Sequence, residues 1–249
     1  MSVRVVAADA EIARARFIEL APEGFEELEA ADGVELAVYT DRAGEARVRQ
    51  LFPGAESLDV EPGWEERWRA FHTGVQAGGL WIGPPWEEPP ATVPAVVVEP
   101  GRAFGTGGHP TTRACIELLA RTAPTSLLDA GCGSGVLSLA AARLGFRPIV
   151  AVDVDEAAVE AARANAARND AELEVRRLDV LRDDLPAAGL LVANIELALV
   201  RALLRRWPGA AAITSGYLPG ERPEVEGWSP DARVELEGWA ADFLRGTTV

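Results

Sequence analysis

Short apolar runs broken by polar or glycine pairs fill the first quarter of the chain, and longer runs at regular spacing fill the rest. Residues 3–6 read as a strand and residues 10–20 as a helix, with Ile12, Ala15, Arg16 and Glu19 at helical spacing. Residues 24–29 and 34–39 alternate like paired strands around Asp32-Gly33, a hairpin turn signal. A second helix is expected over 45–51 and a last strand over 55–60. The β-α-β-β-α-β order predicts a small ferredoxin-like α+β domain over residues 1–60. Residues 61–94 change character. Prolines stand at 84, 85, 89, 90 and 94, and Trp64, Trp68, Trp81 and Trp86 are four of the seven tryptophans. This stretch reads as an ordered connector.

From residue 95 onward, buried-strand patterns alternate with helical ones. Strands are predicted at 95–99, 127–129, 149–153, 174–179, 189–194 and 210–214. Helices are predicted from about Thr112, with Thr111 or Thr112 as cap, and over 136–144, 156–168 and 198–206. Residues 215–220 read as a loop, and 234–236 with 240–244 as a closing antiparallel pair. Such alternation predicts an α/β fold, a doubly wound Rossmann-like sheet over residues 95–249. Its ligands bind at the carboxyl ends of the strands. Asp129, Asp153, Asp179 and Asn194 all fall at such ends.

Composition narrows the chemistry. The chain has 249 residues, a formal net charge of −15 and 48% hydrophobic residues, enough for a large domain and a small one. It contains no lysine, so a P-loop lysine, a Schiff-base lysine and a lysine base are excluded. Its acidity disfavours the phosphate backbone of nucleic acids and suits a basic partner. Two cysteines, Cys115 and Cys132, and two histidines, His72 and His109, make neither a disulfide framework nor a metal cluster. No membrane-spanning run and no signal-peptide pattern is evident, so a cytoplasmic location is expected.

The chemistry concentrates in Asp129-Ala130-Gly131-Cys132-Gly133-Ser134-Gly135. Alternating glycines permit positive φ and close ligand approach, and the helix that follows offers free N–H groups. Asp153, 22 residues beyond Gly131, closes the next strand, where an acid can hold ribose hydroxyls. Loop and acid together suit a nucleoside ligand. They resemble the S-adenosylmethionine loop of class I methyltransferases. Asp179, at the third strand end, reads equally as an acceptor for an adenine amino group or as a solvated turn acid. The loop Pro100–Thr112 opens the next helix, and its hydroxyls offer a seat for a carboxylate.

Several blocks together resemble one family, the methyltransferases of ribosomal protein L11. These are Trp64-Glu65-Glu66-Arg67-Trp68, Leu80-Trp81-Ile82, Glu99 through Thr112, the Asp129–Gly135 loop, Val152-Asp153-Val154-Asp155, and Val192-Ala193-Asn194-Ile195. The resemblance implies S-adenosylmethionine-dependent methylation of amino groups, on lysine side chains and an N-terminal amine. It also implies that the small domain recognises the basic ribosomal protein. Position by position, Thr112, Gly131, Asp153 and Asn194 fall on the family's cofactor positions. Phe104, Gly105, Asp129, Gly133 and Asp179 complete the candidate cofactor-binding set, and Asn194 is the candidate catalytic residue. Glu196 stands where the family usually has an apolar residue. The alternatives are a methyltransferase acting on another protein, a small amine or nucleic acid, and a non-catalytic cofactor-binding module.

Overall fold

A computed structural model describes residues 2–7, 26–30, 33–40, 42–58, 73–100 and 107–246. The predicted helix over 10–20, Trp64, Trp68, Phe104 and Gly105 lie outside the described residues. The chain divides into two compact units, Met1–Ala70 and Phe71–Val249.

In the first unit, β1 (Ser2–Ala7), β2 (Glu26–Ala30), β3 (Gly33–Tyr39) and β4 (Glu56–Leu58) form one antiparallel sheet in the order β2-β3-β1-β4. That is the strand order of a ferredoxin-like sheet. Ala30 pairs with Gly33 at the end of the β2–β3 ladder, and Asp32 of the predicted turn lies outside the described residues. Helix α1 (Arg42–Leu51) starts three residues earlier than its pattern suggested and buries Val48. Its Glu45 accepts from Arg49 and from the Ser57 hydroxyl, which ties the helix to β4.

The second unit is built on a seven-stranded sheet. Its strands are β8 (Leu127–Ala130), β9 (Ile149–Asp153), β10 (Glu174–Arg177), β11 (Leu190–Asn194), β12 (Ala211–Tyr217), β13 (Trp228–Leu236) and β14 (Trp239–Gly246). The order is β10-β9-β8-β11-β12-β14-β13. The first five are parallel and β14 runs antiparallel to both its neighbours. Successive strands step outward from β8 to one side, then restart at β11 on the other. This is the doubly wound, Rossmann-like pattern, and its switch point lies between β8 and β11.

Strand alternation divides the core into two layers. Leu127, Ile149, Leu190, Val192, Ile213 and Phe243 face helices α2 (Pro110–Ala120) and α3 (Val136–Arg143). Leu128, Val152, Leu191, Ala212 and Leu244 face α5 (Leu197–Arg206), through Val200, Leu203 and Leu204. Each fully buried leucine contributes roughly 1.5–3 kcal/mol of transfer free energy. Helix α4 (Glu156–Arg168) begins at Asp155, whose carboxylate accepts from the Ala157 N–H at 3.0 Å.

Three differences from the sequence reading have physical causes. Residues 75–83, placed in the connector, form β5 (Val75–Ala77) and β6 (Leu80–Gly83), which make a small sheet with β7 (Ala95–Val97). The hinge of that hairpin is Gly78-Gly79, both at positive φ. Strand β12 runs on through Ser215-Gly216-Tyr217, predicted as loop, because a bulge at this point keeps it paired with β14. The cap of α2 is His109 rather than a threonine, with Pro110 in the first turn.

The outer edge of β7 is closed by side chains. Asn169 accepts from the Val97 N–H at 2.8 Å and donates to the Val97 carbonyl at 2.6 Å. Asn165, one turn earlier on α4, accepts from the Glu99 N–H at 3.1 Å and donates to the Ser134 carbonyl at 3.0 Å. Two helix amides thus replace a neighbouring strand and anchor the glycine turn.

Candidate active site

At the switch point the carboxyl ends of β8, β9 and β11 surround a cavity of about 430 Å³, within the range of small-ligand sites. Gly131, Gly133, Asp153, Asp179, Thr112 and Asn194 all stand in its wall. So do Cys132, Val136, Leu137, Val154, Leu178, Val180, Leu181, Ile195 and Leu199, none of them among the predicted site residues. Most follow a predicted site residue closely in sequence, and apolar character alone does not mark them as lining.

The glycine turn is shaped by its two neighbours in the sheet. Gly131 and Cys132 both donate to the Val152 carbonyl, at 2.9 and 3.0 Å. Gly131 has φ 74°, and a Cβ there would lie 2.6 Å from Ile195 Cγ2. A side chain at 131 would close the gap between the turn and the end of β11. Gly135 caps α3 at φ 80°; the Ser138 N–H of the first turn is taken by Asp129, while Val136 and Leu137 bring the positive end of the helix to the cavity wall.

Asp153 closes β9 in a fixed orientation. Its Oδ2 accepts from the Gly133 N–H at 2.9 Å and its Oδ1 from the Asp155 N–H at 3.1 Å. A carboxylate so held keeps lone pairs for two further donors, the pattern a vicinal diol needs. Asp179 lies beyond the end of β10, which stops at Arg177, and opens a turn. It accepts from Leu181 N–H at 2.9 Å while its own N–H donates to Asp183.

Asp129 stands behind the wall rather than in it. It is 1% exposed and its Oδ2 accepts from the Ser138 N–H and hydroxyl, at 3.1 and 2.6 Å. Its Oδ1 has no partner. Burial is the main cause that raises its carboxyl to about 6, against the pull of Ser138 and with a push from Asp153. Asp129 therefore fastens the start of α3 to the end of β8. Cys132 lines the cavity, but burial raises its thiol pKa far above the ordinary range, so it is no ready nucleophile.

Asn194 closes β11. Its Nδ2 donates to Thr111 Oγ1 at 3.1 Å and to Thr112 Oγ1 at 3.4 Å. Both threonines are buried, at 2% and 1% exposure. With both amide hydrogens directed at α2, Oδ1 is the acceptor that Asn194 brings to the cavity. Glu196, exposed, begins α5 as its N-cap and makes no capping bond. His109 Nδ1 is 2.7 Å from Thr111 Oγ1, and its ring meets the edge of Trp239 at 5.1 Å. Among the described residues, no three of His, Cys, Asp and Glu gather as a metal site, and no helix is long and apolar enough to cross a membrane.

Comparison with known proteins adds independent findings. A family model described as ribosomal protein L11 methyltransferase (PrmA) matches residues 38–241. The ribosomal protein L11 methyltransferase of Shewanella halifaxensis is 38% identical over 174 residues, which are 65% of this chain and 59% of that relative. The one from Myxococcus xanthus is 41% identical over 136 residues, 50% of this chain and 47% of the relative. The chain thus spans less than two thirds of the length of the curated relatives it matches. A crystal structure of ribosomal protein L11 methylase from Lactobacillus delbrueckii subsp. bulgaricus superposes with a TM-score of 0.61 at 26% identity, covering 71% of this chain and all of the other. With a family model matched across most of its length and a cavity at the switch point of its sheet, this chain belongs to the ribosomal protein L11 methyltransferase family.

Proposed function

We propose that the cavity binds S-adenosylmethionine and that the chain methylates amino groups of ribosomal protein L11, on lysine side chains and an N-terminal amine. The observation that carries this reading is the Asn194 amide. Its donors are committed to α2, and it lines the same cavity as the glycine turn and Asp153. The fit to the cofactor rests on three features. Asp153 is oriented for a diol. Gly131 leaves space that a Cβ would fill. The apolar side chains Val154, Leu178, Val180 and Leu181 offer faces for a purine. Asp179 is then the candidate acceptor for its amino group, and Phe104 and Gly105 remain candidates from the family block alone.

When bound, S-adenosylmethionine supplies an activated methyl group. The protein's part is to place an amine in line with it and to keep that amine neutral, and positioning supplies much of the rate. A lysine amine has an ordinary pKa near ~10.4 and an α-amine near ~7.7–8.0. A lysine acceptor therefore needs desolvation, which lowers the pKa of a cation. The apolar wall of Ile195 and Leu199 supplies it. Asn194 Oδ1 accepts an amine N–H and leaves the lone pair free for the methyl. The net charge of −15 suits a basic substrate, the first unit is its recognition module, and the cytoplasm is its setting. Direct nucleic-acid binding is not part of this reading.

Intact-mass analysis of L11 after incubation with the chain and S-adenosylmethionine tests the activity, and methyl-sized gains are expected. Calorimetry tests the site. Asp153→Ala should weaken cofactor binding by about 1.5–3 kcal/mol, the range for a charge-assisted hydrogen bond. Unmodified L11 would refute the substrate, and unchanged affinity would refute the ribose role.

A further inference from the structure

We propose that Thr111 and His109 are positioning residues that set which way round the Asn194 amide sits, and so whether the cavity offers an acceptor or donors to the incoming amine. The inference rests on the methyl-transfer reading of the same cavity.

Thr111 Oγ1 lies between two polar groups, 3.1 Å from Asn194 Nδ2 and 2.7 Å from His109 Nδ1. A hydroxyl has one proton and two lone pairs, and with that proton given to one of these two partners the chain of bonds runs in one of two directions. In the first, Asn194 Nδ2–H donates to Thr111 and Thr111 donates to His109 Nδ1. The amide carbonyl is then left for the cavity. In the second, a protonated His109 Nδ1 donates to Thr111, and Thr111 donates to Asn194 Oδ1. The amide must turn over, and its NH₂ points at the cavity. The two states differ chemically for the acceptor. An amine about to attack a methyl needs acceptors for its N–H groups. A donor would instead compete for the lone pair that must form the new N–C bond.

Two further contacts favour the first direction. The Thr111 N–H donates to His109 Nδ1 at 3.4 Å, which requires that nitrogen to be bare. Thr112 Oγ1 takes the second amide hydrogen at 3.4 Å. Among the described residues, charged groups that act on His109 are Arg113 on its own helix and Glu237 from the turn between β13 and β14; Arg113 and Glu237 pair at 2.7 Å. Burial and Arg113 lower the His109 pKa below the usual 6.5, and Glu237 opposes them. The imidazole is therefore neutral at pH 7 and the first direction holds. Acidification puts a proton on Nδ1 and reverses it.

Single-turnover methylation of L11 by the full chain, from pH 5 to 9, tests the relay. Thr111→Val keeps the shape of the side chain and removes the hydroxyl. Its rate should fall roughly tenfold at pH 8, with cofactor affinity by calorimetry unchanged within about twofold. Thr111→Ser should restore the rate. Comparing wild type with Thr111→Val cancels the acceptor's own titration, so their rate ratio should contract toward one as pH drops through the His109 titration. A packing role would leave that ratio independent of pH. A flat ratio, a fast Thr111→Val, or a Thr111→Ser as slow as the valine variant overturns the relay alone. A wild type that transfers no methyl at any pH overturns the activity and the relay together.

Discussion

Replacing Asp129 by Asn removes a charge whose cost can be worked out. The carboxyl is 1% exposed, takes two hydrogen bonds from Ser138 on one oxygen, and has none on the other. Its pKa in the folded chain is about 6, against an ordinary 3.8, chiefly because burial penalises the ionised form. Below about pH 3 the group is protonated in both folded and unfolded chains and imposes no penalty. As pH rises, the unfolded chain ionises first, so the folded state loses stability until its own group ionises near pH 6. The two values lie about two pH units apart, and at about 1.4 kcal/mol per unit the ceiling is roughly 3 kcal/mol. Urea unfolding of wild type and Asp129→Asn across pH 4–7.5 isolates this contribution, because the other carboxylates cancel in the difference. Relative to the variant, wild type should lose about 2–2.5 kcal/mol from pH 4 to 7, the rest of the ceiling lying below pH 4. A constant offset from the amide is allowed. A flat difference, or one of opposite slope, would refute the argument that burial dominates at this site.

Two other substitutions probe the frame of the cavity. Gly131→Ala puts a Cβ at φ 74° and 2.6 Å from Ile195 Cγ2; the backbone alone should cost about 1–2 kcal/mol, and cofactor affinity should fall. Unaltered affinity by calorimetry would take Gly131 out of the ligand's wall. Asn169→Ala removes both bonds that close the edge of β7 and should lower unfolding stability by about 2–3 kcal/mol. A loss below about 0.5 kcal/mol, the level of an ordinary surface change, would show that this edge needs no cover.

The strands at the centre of the large sheet were legible because both their faces are covered. Leu127–Ala130 and Leu190–Asn194 are almost wholly buried and read as apolar runs with one polar residue each, Asp129 and Asn194. Helix α4 was legible at both ends, at Glu156 and Arg168. The start of β13 was not. Residues 228–233 are mostly exposed and polar, and Pro230 argues against a strand anywhere but at an edge, which is where β13 lies. Gly78-Gly79 was a turn signal in plain view, outweighed by the prolines that follow from residue 84. At the site, glycines and strand-end acids gave the location of the cavity. They did not distinguish the roles of Asp129 and Asp153, since an acid at a strand end has the same sequence pattern whether it faces a ligand or a helix. The His109 cap was hidden because histidine is not a usual cap, although Pro110 marked the helix start.

Asn165 is 2% exposed and joins the Ser134 carbonyl to the Glu99 N–H. In mechanical terms it is a single rivet through two separate pieces of chain, the glycine turn and the residues that follow β7. Neither can swing without loading the other. A ligand that stiffens the turn will therefore slow deuterium uptake at the Glu99 amide, far along the chain from Gly131 and Gly133. That amide is a built-in gauge of whether the cradle is filled.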